Sequence, residues 1–188
     1  GDGGMITTND KQLADKCREM TWFGVSSTWS RSQGASGKPG YAWDYQVDLI
    51  GYKYYMIDIM AAICLEQMKK LPKHLEWRRH VQERYTTELS GVIQPPPYSD
   101  TVQYYCARVP EEHRDDLIDY LADKKIHTSV HFKPLYLYDI VSSMNQRDYP
   151  VIGKEWKRLI SLPCHPAMNE DDIDYVVYWV KEYFNQCT

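Results

Sequence analysis

The sequence has no long apolar stretch: its longest run, residues 59–65, is far short of the roughly 20 residues that a membrane-spanning helix needs. It has no basic block either. A net charge of -4 and a pI near 5.9 give neither nucleic acid nor an anionic membrane surface an electrostatic reason to bind. The opening Gly1-Asp2-Gly3-Gly4 shows no basic or apolar leader pattern. Five cysteines, Cys17, Cys64, Cys106, Cys164 and Cys187, form an odd, widely spaced set without a C-x-x-C pair. That spacing excludes a disulfide framework and a structural zinc site. Adjacent Cys164 and His165 read more simply as chance neighbours than as a metal-ligand or nucleophile pair. The expectation is a reduced, cytoplasmic chain without a metal. No G-x-x-x-x-G-K or G-x-G-x-x-G follows the opening glycines, so no phosphate-binding loop is read there.

What is present is a core-forming composition. Apolar residues make up 43% and aromatics 13% of 188 residues, so disorder is not the expected state. Residues 5–8 are β-prone. Asn9, with Gln12 three residues on, reads as a capping box for a helix carrying Leu13, Ala14, Cys17 and Met20 on one face and ending near Gly24. Residues 25–45, rich in Ser, Gly, Trp and Tyr, form a long loop of the kind that is usually functional or mobile. From residue 54 to 71 the helix pattern is apolar almost all round, which predicts burial under a domain or against a partner chain. Pro72 is read as an interruption. A second helix follows over residues 73–90, with Leu75, Val81, Tyr85 and Leu89 on one side and Gly91 as its stop.

Pro95-Pro96-Pro97 gives a stiff spacer and the expected boundary between domains 1–94 and 95–188. Beyond it, residues 101–109 alternate as a strand, and residues 113–125 form a helix with Leu117, Ile118 and Leu121 inward. Residues 127–132 read as a second strand. The last helix is capped by Asn169 with Asp172 at its third position, and Ile173, Val176, Val177, Val180 and Phe184 make its apolar stripe. Asp171 and Asp172 complement the helix dipole and are not a catalytic carboxylate pair. Composition and periodicity therefore predict a mixed α/β chain and do not by themselves assign an activity.

Four stretches in order carry a resemblance. They are Gly1-Asp2-Gly3-Gly4-Met5-Ile6-Thr7-Thr8, the run from Gly51-Tyr52-Lys53-Tyr54-Tyr55-Met56 to Ala61-Ala62, Val130-His131-Phe132-Lys133-Pro134-Leu135, and Ser161-Leu162-Pro163-Cys164-His165-Pro166 with Asp171-Asp172-Ile173-Asp174-Tyr175-Val176. Trp22-Phe23-Gly24 and Trp43-Asp44-Tyr45 fit as well. Together they resemble the DegT/DnrJ/EryC1/StrS family of pyridoxal-phosphate-dependent sugar-nucleotide aminotransferases. The resemblance implies the C-terminal portion of a fold-type I enzyme: the end of the large domain over residues 1–94, and a small α/β domain after it. It implies homodimers that move an amino group, glutamate being the usual donor, to a keto sugar on a nucleotide.

In such enzymes the cofactor forms a Schiff base with a lysine, and the family places that lysine just upstream of the opening glycine segment. The expectation is then a chain that holds no catalytic residue, no cofactor and no transaminase activity alone. Two alternatives stay open: a non-catalytic association module derived from the fold, and one chain of a split enzyme. Lys53 is the expected contact to the cofactor phosphate, as a point charge; the alternative is a solvated lysine with aromatic neighbours around its stem. Tyr55 replaces the Arg or His usual beside the substrate pyrophosphate, keeping a donor without the charge. His131 is expected either to pack structurally or to line the substrate cleft, and Tyr136 stands where relatives often have His. Ala61 and Ala62 are read as core or dimer interface.

Overall fold

The computed structural model describes residues 3–26, 38–141 and 149–187. Gly1, Asp2 and residues 27–37 of the expected long loop lie outside the described residues. The chain divides into two compact units, Gly1–Lys69 and Lys70–Thr188.

In the first unit, α1 spans Lys11–Thr21. Its cap is Asp10, one residue after the expected Asn9: Asp10 Oδ1 accepts from the amides of Gln12 at 2.8 Å and Leu13 at 3.1 Å. A full carboxylate charge complements the helix N-terminus better than an amide does. The helix buries no residue completely, and Leu13 and Met20 are exposed. Residues 5–8 are not a strand. Met5 and Ile6 are exposed, and β-prone residues without a neighbouring strand have no ladder to join.

The other half of this unit is the return of residues 46–54 across the end of α1. Phe23 donates to the Tyr52 carbonyl at 3.0 Å, Tyr52 to Met20 at 2.8 Å, Tyr54 to Thr21 at 2.9 Å and Asp48 to Gly24 at 2.9 Å. Two glycines meet at this crossing. Gly24 has φ +75°, and a Cβ there would lie 1.7 Å from the Leu49 carbonyl oxygen; a Cβ on Gly51 would lie 2.4 Å from the Gly24 nitrogen. Only glycine permits such contact of backbone with backbone.

Helix α2 spans Asp58–Glu88 as one element of 31 residues with Pro72 inside it, where two helices were expected. Pro72 is exposed, so water can meet the carbonyl left without a donor, and the helical residues on both sides absorb the local cost. The apolar first half of α2 is not buried either: Ile59, Ile63, Leu65 and Met68 are all exposed. The described residues of the first unit supply nothing that covers them.

The second unit holds the core. Its sheet has two antiparallel strands, β1 (Tyr105–Arg108) and β2 (Leu159–Leu162), with Tyr105 opposite Leu162 and Arg108 opposite Leu159. Single bridges flank it, Gln94 to Arg108 and Ser129 to Ser161. The strand expected over residues 127–132 is thus reduced to one bridge, and β2 was not anticipated. Val81 and Tyr85 from α2, and Leu89 just past its end, share a core with Tyr105 and Ala107, with Leu117 and Leu121 of α3 (Glu111–Asp123), and with Ile173, Val176 and Val180 of α5 (Glu170–Gln186). The short helix α4, Pro150–Glu155, leads into β2. Residues before and after the three prolines share this core, and the compact units divide at Lys69–Lys70.

Helix α5 forms as its sequence requires. The Asp172 amide donates to Asn169 Oδ1 at 2.9 Å, and the Asn169 amide donates back to Asp172 Oδ2 at 2.9 Å, a reciprocal capping box. Arg84 on α2 then pairs with Glu170 at 2.6 Å and with Asp174 and Glu88. Hydrogen bonds to these carboxylates push its guanidinium pKa further above its already high range.

Candidate functional site

Each unit offers one cleft worth weighing. In the first, Gly3, Gly4, Thr8, Arg18, Tyr54 and Tyr55 are among the residues lining a hollow of about 540 Å³. Among the described residues its one cation, Arg18, already donates to Asp15 at 3.1 Å, and none that lines the hollow is a carboxylate.

Beside it stands Lys53, exposed and bridged through its backbone to Trp22. Its Nζ lies 5.6 Å from the Trp22 ring centroid and 5.9 Å from those of Phe23 and Tyr55. The Tyr55 ring meets Trp22 edge-on at 4.6 Å. The aromatic surroundings expected of Lys53 therefore exist, but two of the three rings come from the turn after α1 and not from the lysine's sequence neighbours. A cation over ring faces gains about 0.5–1 kcal/mol at an exposed site. That is enough to hold the ammonium in place while leaving it free to meet an anion. The structure thus brings Lys53 and Tyr55 together with Trp22, a residue that the sequence reading placed only within a loop.

In the second unit, a cleft of about 390 Å³ is lined by residues that include Arg78, Tyr104, His127, His131, Ser161 and His165. His131 is packed structurally and also borders this cleft. Its Nδ1 lies 2.7 Å from Ser161 Oγ and its ring stacks on Tyr104 at 3.8 Å, yet it also lines the cleft. Ser161 is buried and its hydroxyl also touches Cys106 Sγ at 3.2 Å, so the imidazole is fixed from behind. Tyr136 is half-buried, stacked 6.3 Å from Tyr149, and is not among the residues lining this cleft.

Cys164 is a buried thiol, and desolvation pushes its pKa up to about 11. A thiol kept protonated at neutral pH is a poor nucleophile. Peptide mapping after treatment with a maleimide at pH 7 is expected to show exposed Cys187 labelled at least about tenfold faster than Cys164. Equal rates would contradict the buried placement. Because the thiolate is disfavoured by burial, Cys164 labelling should accelerate as pH rises toward 11. Among the described residues no three His, Cys, Asp or Glu side chains are placed to hold a metal ion, and no helix is long and apolar enough to cross a membrane.

Comparison with known proteins agrees with the order of the motifs. Residues 1–181 match the model of the DegT/DnrJ/EryC1/StrS aminotransferase family. The spore coat polysaccharide biosynthesis protein SpsC of Bacillus subtilis is 34% identical, over 97% of this chain and 49% of that protein. The GDP-perosamine synthase of Escherichia coli O157:H7 is 28% identical, over 98% of this chain and 48% of its own length. The PLP form of Spr1654 from Streptococcus pneumoniae superposes with a TM-score of 0.80 at 24% identity, over 96% of this chain and 45% of that one. The chain spans about half the length of the relatives it matches, and its mixed α/β fold is that of the superposed structures. This chain belongs to the DegT/DnrJ/EryC1/StrS aminotransferase family.

Proposed function

We propose that this chain supplies part of a pyridoxal-phosphate-dependent sugar aminotransferase whose substrate is a nucleotide-linked keto sugar and whose amino donor is glutamate. The observation that carries this reading is the family match over residues 1–181. In it, Lys53 meets the cofactor phosphate, while Tyr55 and His131 face the substrate. Residues 1–94 end the large domain and residues 95–188 form the small one.

The described residues do not by themselves fit a complete pyridoxal phosphate site. No lysine among them is buried, and the hollow beside Lys53 offers no carboxylate for the pyridine nitrogen. The chain's own contribution is then one cation, Lys53, held over aromatic rings at the rim of a shared site. Mixed with pyridoxal phosphate, the 188-residue chain is expected to give no internal-aldimine absorption band. A stoichiometric band from the chain alone would overturn this reading. In the assembled enzyme, Lys53→Ala should weaken cofactor binding about tenfold, the loss of one charge-assisted hydrogen bond of roughly 1.5 kcal/mol. Unchanged affinity would remove Lys53 from the site.

The exposed apolar face of α2 supports association into a homodimer or larger oligomer. Contiguous apolar surface of this kind marks a site of protein contact. Multi-angle light scattering is expected to return an assembly larger than one chain; a stable monomer would count against it. An assembled chain that never takes up the cofactor, even with a lysine-bearing partner chain present, would favour the association module over a split enzyme.

A further inference from the structure

The cleft in the second unit carries an unusual balance of charge. Arg78, His127, His131 and His165 all line it, together with Thr128 and Ser129. The other titratable groups on its wall are Tyr104 and Cys164, and no Asp or Glu lines it. Of the other partly buried arginines of this unit, Arg84, Arg108, Arg114 and Arg158 each have a carboxylate partner, while Arg79, which does not line the cleft, has none among the described residues. Arg78 has none either. Its one hydrogen bond among the described residues is from Nη1 to the Val102 carbonyl at 3.2 Å, and its Nε is shielded from water without an acceptor. Thr128 Oγ1, on the same wall, is also buried without a partner. A half-buried guanidinium with no counter-ion is costly, and buried polar atoms normally find partners. An anion in the cleft would supply the counter-charge that the guanidinium lacks.

We infer that this cleft is an oxyanion site for a phosphate-type group, anchored by the Arg78 guanidinium and completed by His127 and His165. His131 forms its back wall. With Nδ1 engaged by Ser161, only its Nε2 remains to donate. A tetrahedral dianion suits donors arriving from several directions, whereas a monocarboxylate offers two oxygens in one plane. Arg78, His127 and His165 play no part in the reading given above, which shares only His131 with this cleft.

The test uses the full chain and two probes, sulfate and acetate, with histidine side-chain resonances followed by NMR. Saturable shifts at His127 and His165 are expected as sulfate is added. Acetate should bind at least about tenfold more weakly. Arg78→Gln should weaken sulfate by about tenfold or more, and Arg78→Lys should recover part of the loss. If Arg78→Gln fails to fold, the double variant His127→Gln/His165→Gln, followed at the remaining histidines, must weaken sulfate by at least about threefold. Absence of saturable shifts in the folded chain, acetate binding as tight as sulfate, or full affinity in Arg78→Gln would overturn the assignment. None of these results depends on uptake of pyridoxal phosphate.

Discussion

Tyr85→Ala should cost the second unit about 3–5 kcal/mol of stability, readable as a lower midpoint in urea followed by far-ultraviolet circular dichroism. The side chain is fully buried and its ring packs edge-on to Tyr105 at 5.1 Å, so truncation leaves a cavity bordered by both strands and α5. Domains are stable by only about 5–15 kcal/mol in total, which makes this a large fraction of what the unit has. Tyr85→Phe separates packing from polarity. The hydroxyl donates to the Pro163 carbonyl at 3.0 Å, and losing it should cost about 1 kcal/mol while the core stays filled. The same burial raises the Tyr85 hydroxyl pKa above the usual tyrosine value of about 10. Its contribution is therefore complete below pH 10 and is lost as pH rises beyond that, because the unfolded chain releases the proton first. Tyr85→Phe should flatten that alkaline loss. If Tyr85→Ala unfolds at the same urea concentration as the parent chain, the core described around α2 is wrong.

The fold was legible where its signals are local. Helix α5 could be placed to the residue because Asn169 and Asp172 cap it within three positions and its apolar stripe repeats over 17 residues. Elements that depend on distant partners were not. β2 is four residues, Leu-Ile-Ser-Leu, and exists because Tyr105–Arg108 lies beside it from some 50 positions earlier. Residues 5–8 show the converse: β-propensity without a partner strand yields exposed coil. Pro72 was misread for a related reason. Proline disfavours a helix locally, yet a helix sustained on both sides can carry it. The apolar pattern of residues 54–71 identified a helix from Asp58 onward, but not the burial expected of it, because pattern alone cannot supply a cover.

The candidate site divides the same way. Lys53, Tyr55 and His131 could be picked out because motif residues sit together in the sequence. The arrangement around them could not: Trp22 and Phe23 reach Lys53 from 30 positions away, and Ser161 fixes His131 from the next strand. Arg78 escaped notice altogether. In sequence it is one of a pair of arginines on an ordinary helix, and nothing there shows that three histidines from two later segments line the same cleft. A missing counter-ion becomes visible only when the neighbours are known.

Gly24→Ala is expected to dismantle the junction that carries Lys53. A Cβ at this position would stand 1.7 Å from the Leu49 carbonyl oxygen in a backbone with φ +75°, so left-handed strain and a backbone clash act together. The local cost should reach about 3 kcal/mol or more. Gly51→Ala attacks the same crossing from the other strand, where the new carbon would lie 2.4 Å from the Gly24 nitrogen. Hydrogen exchange provides the readout. The amides of Tyr52 and Tyr54, bonded to Met20 and Thr21 in the parent chain, should lose at least about a hundredfold of their protection in both variants. Lys53 lies between those two amides and depends on the crossing for its position over Trp22 and Phe23. In the assembled enzyme, Gly24→Ala should therefore weaken pyridoxal phosphate binding at least as much as Lys53→Ala, although Gly24 has no side chain with which to touch the cofactor. Protection in the second unit should remain unchanged, since its core is built from separate residues. If Tyr52 and Tyr54 stay protected in Gly24→Ala, the two segments do not cross where the structure places them. The geometry that holds Lys53 over its rings would then have to be abandoned, and with it the reason for expecting an ammonium held ready at the rim of the site.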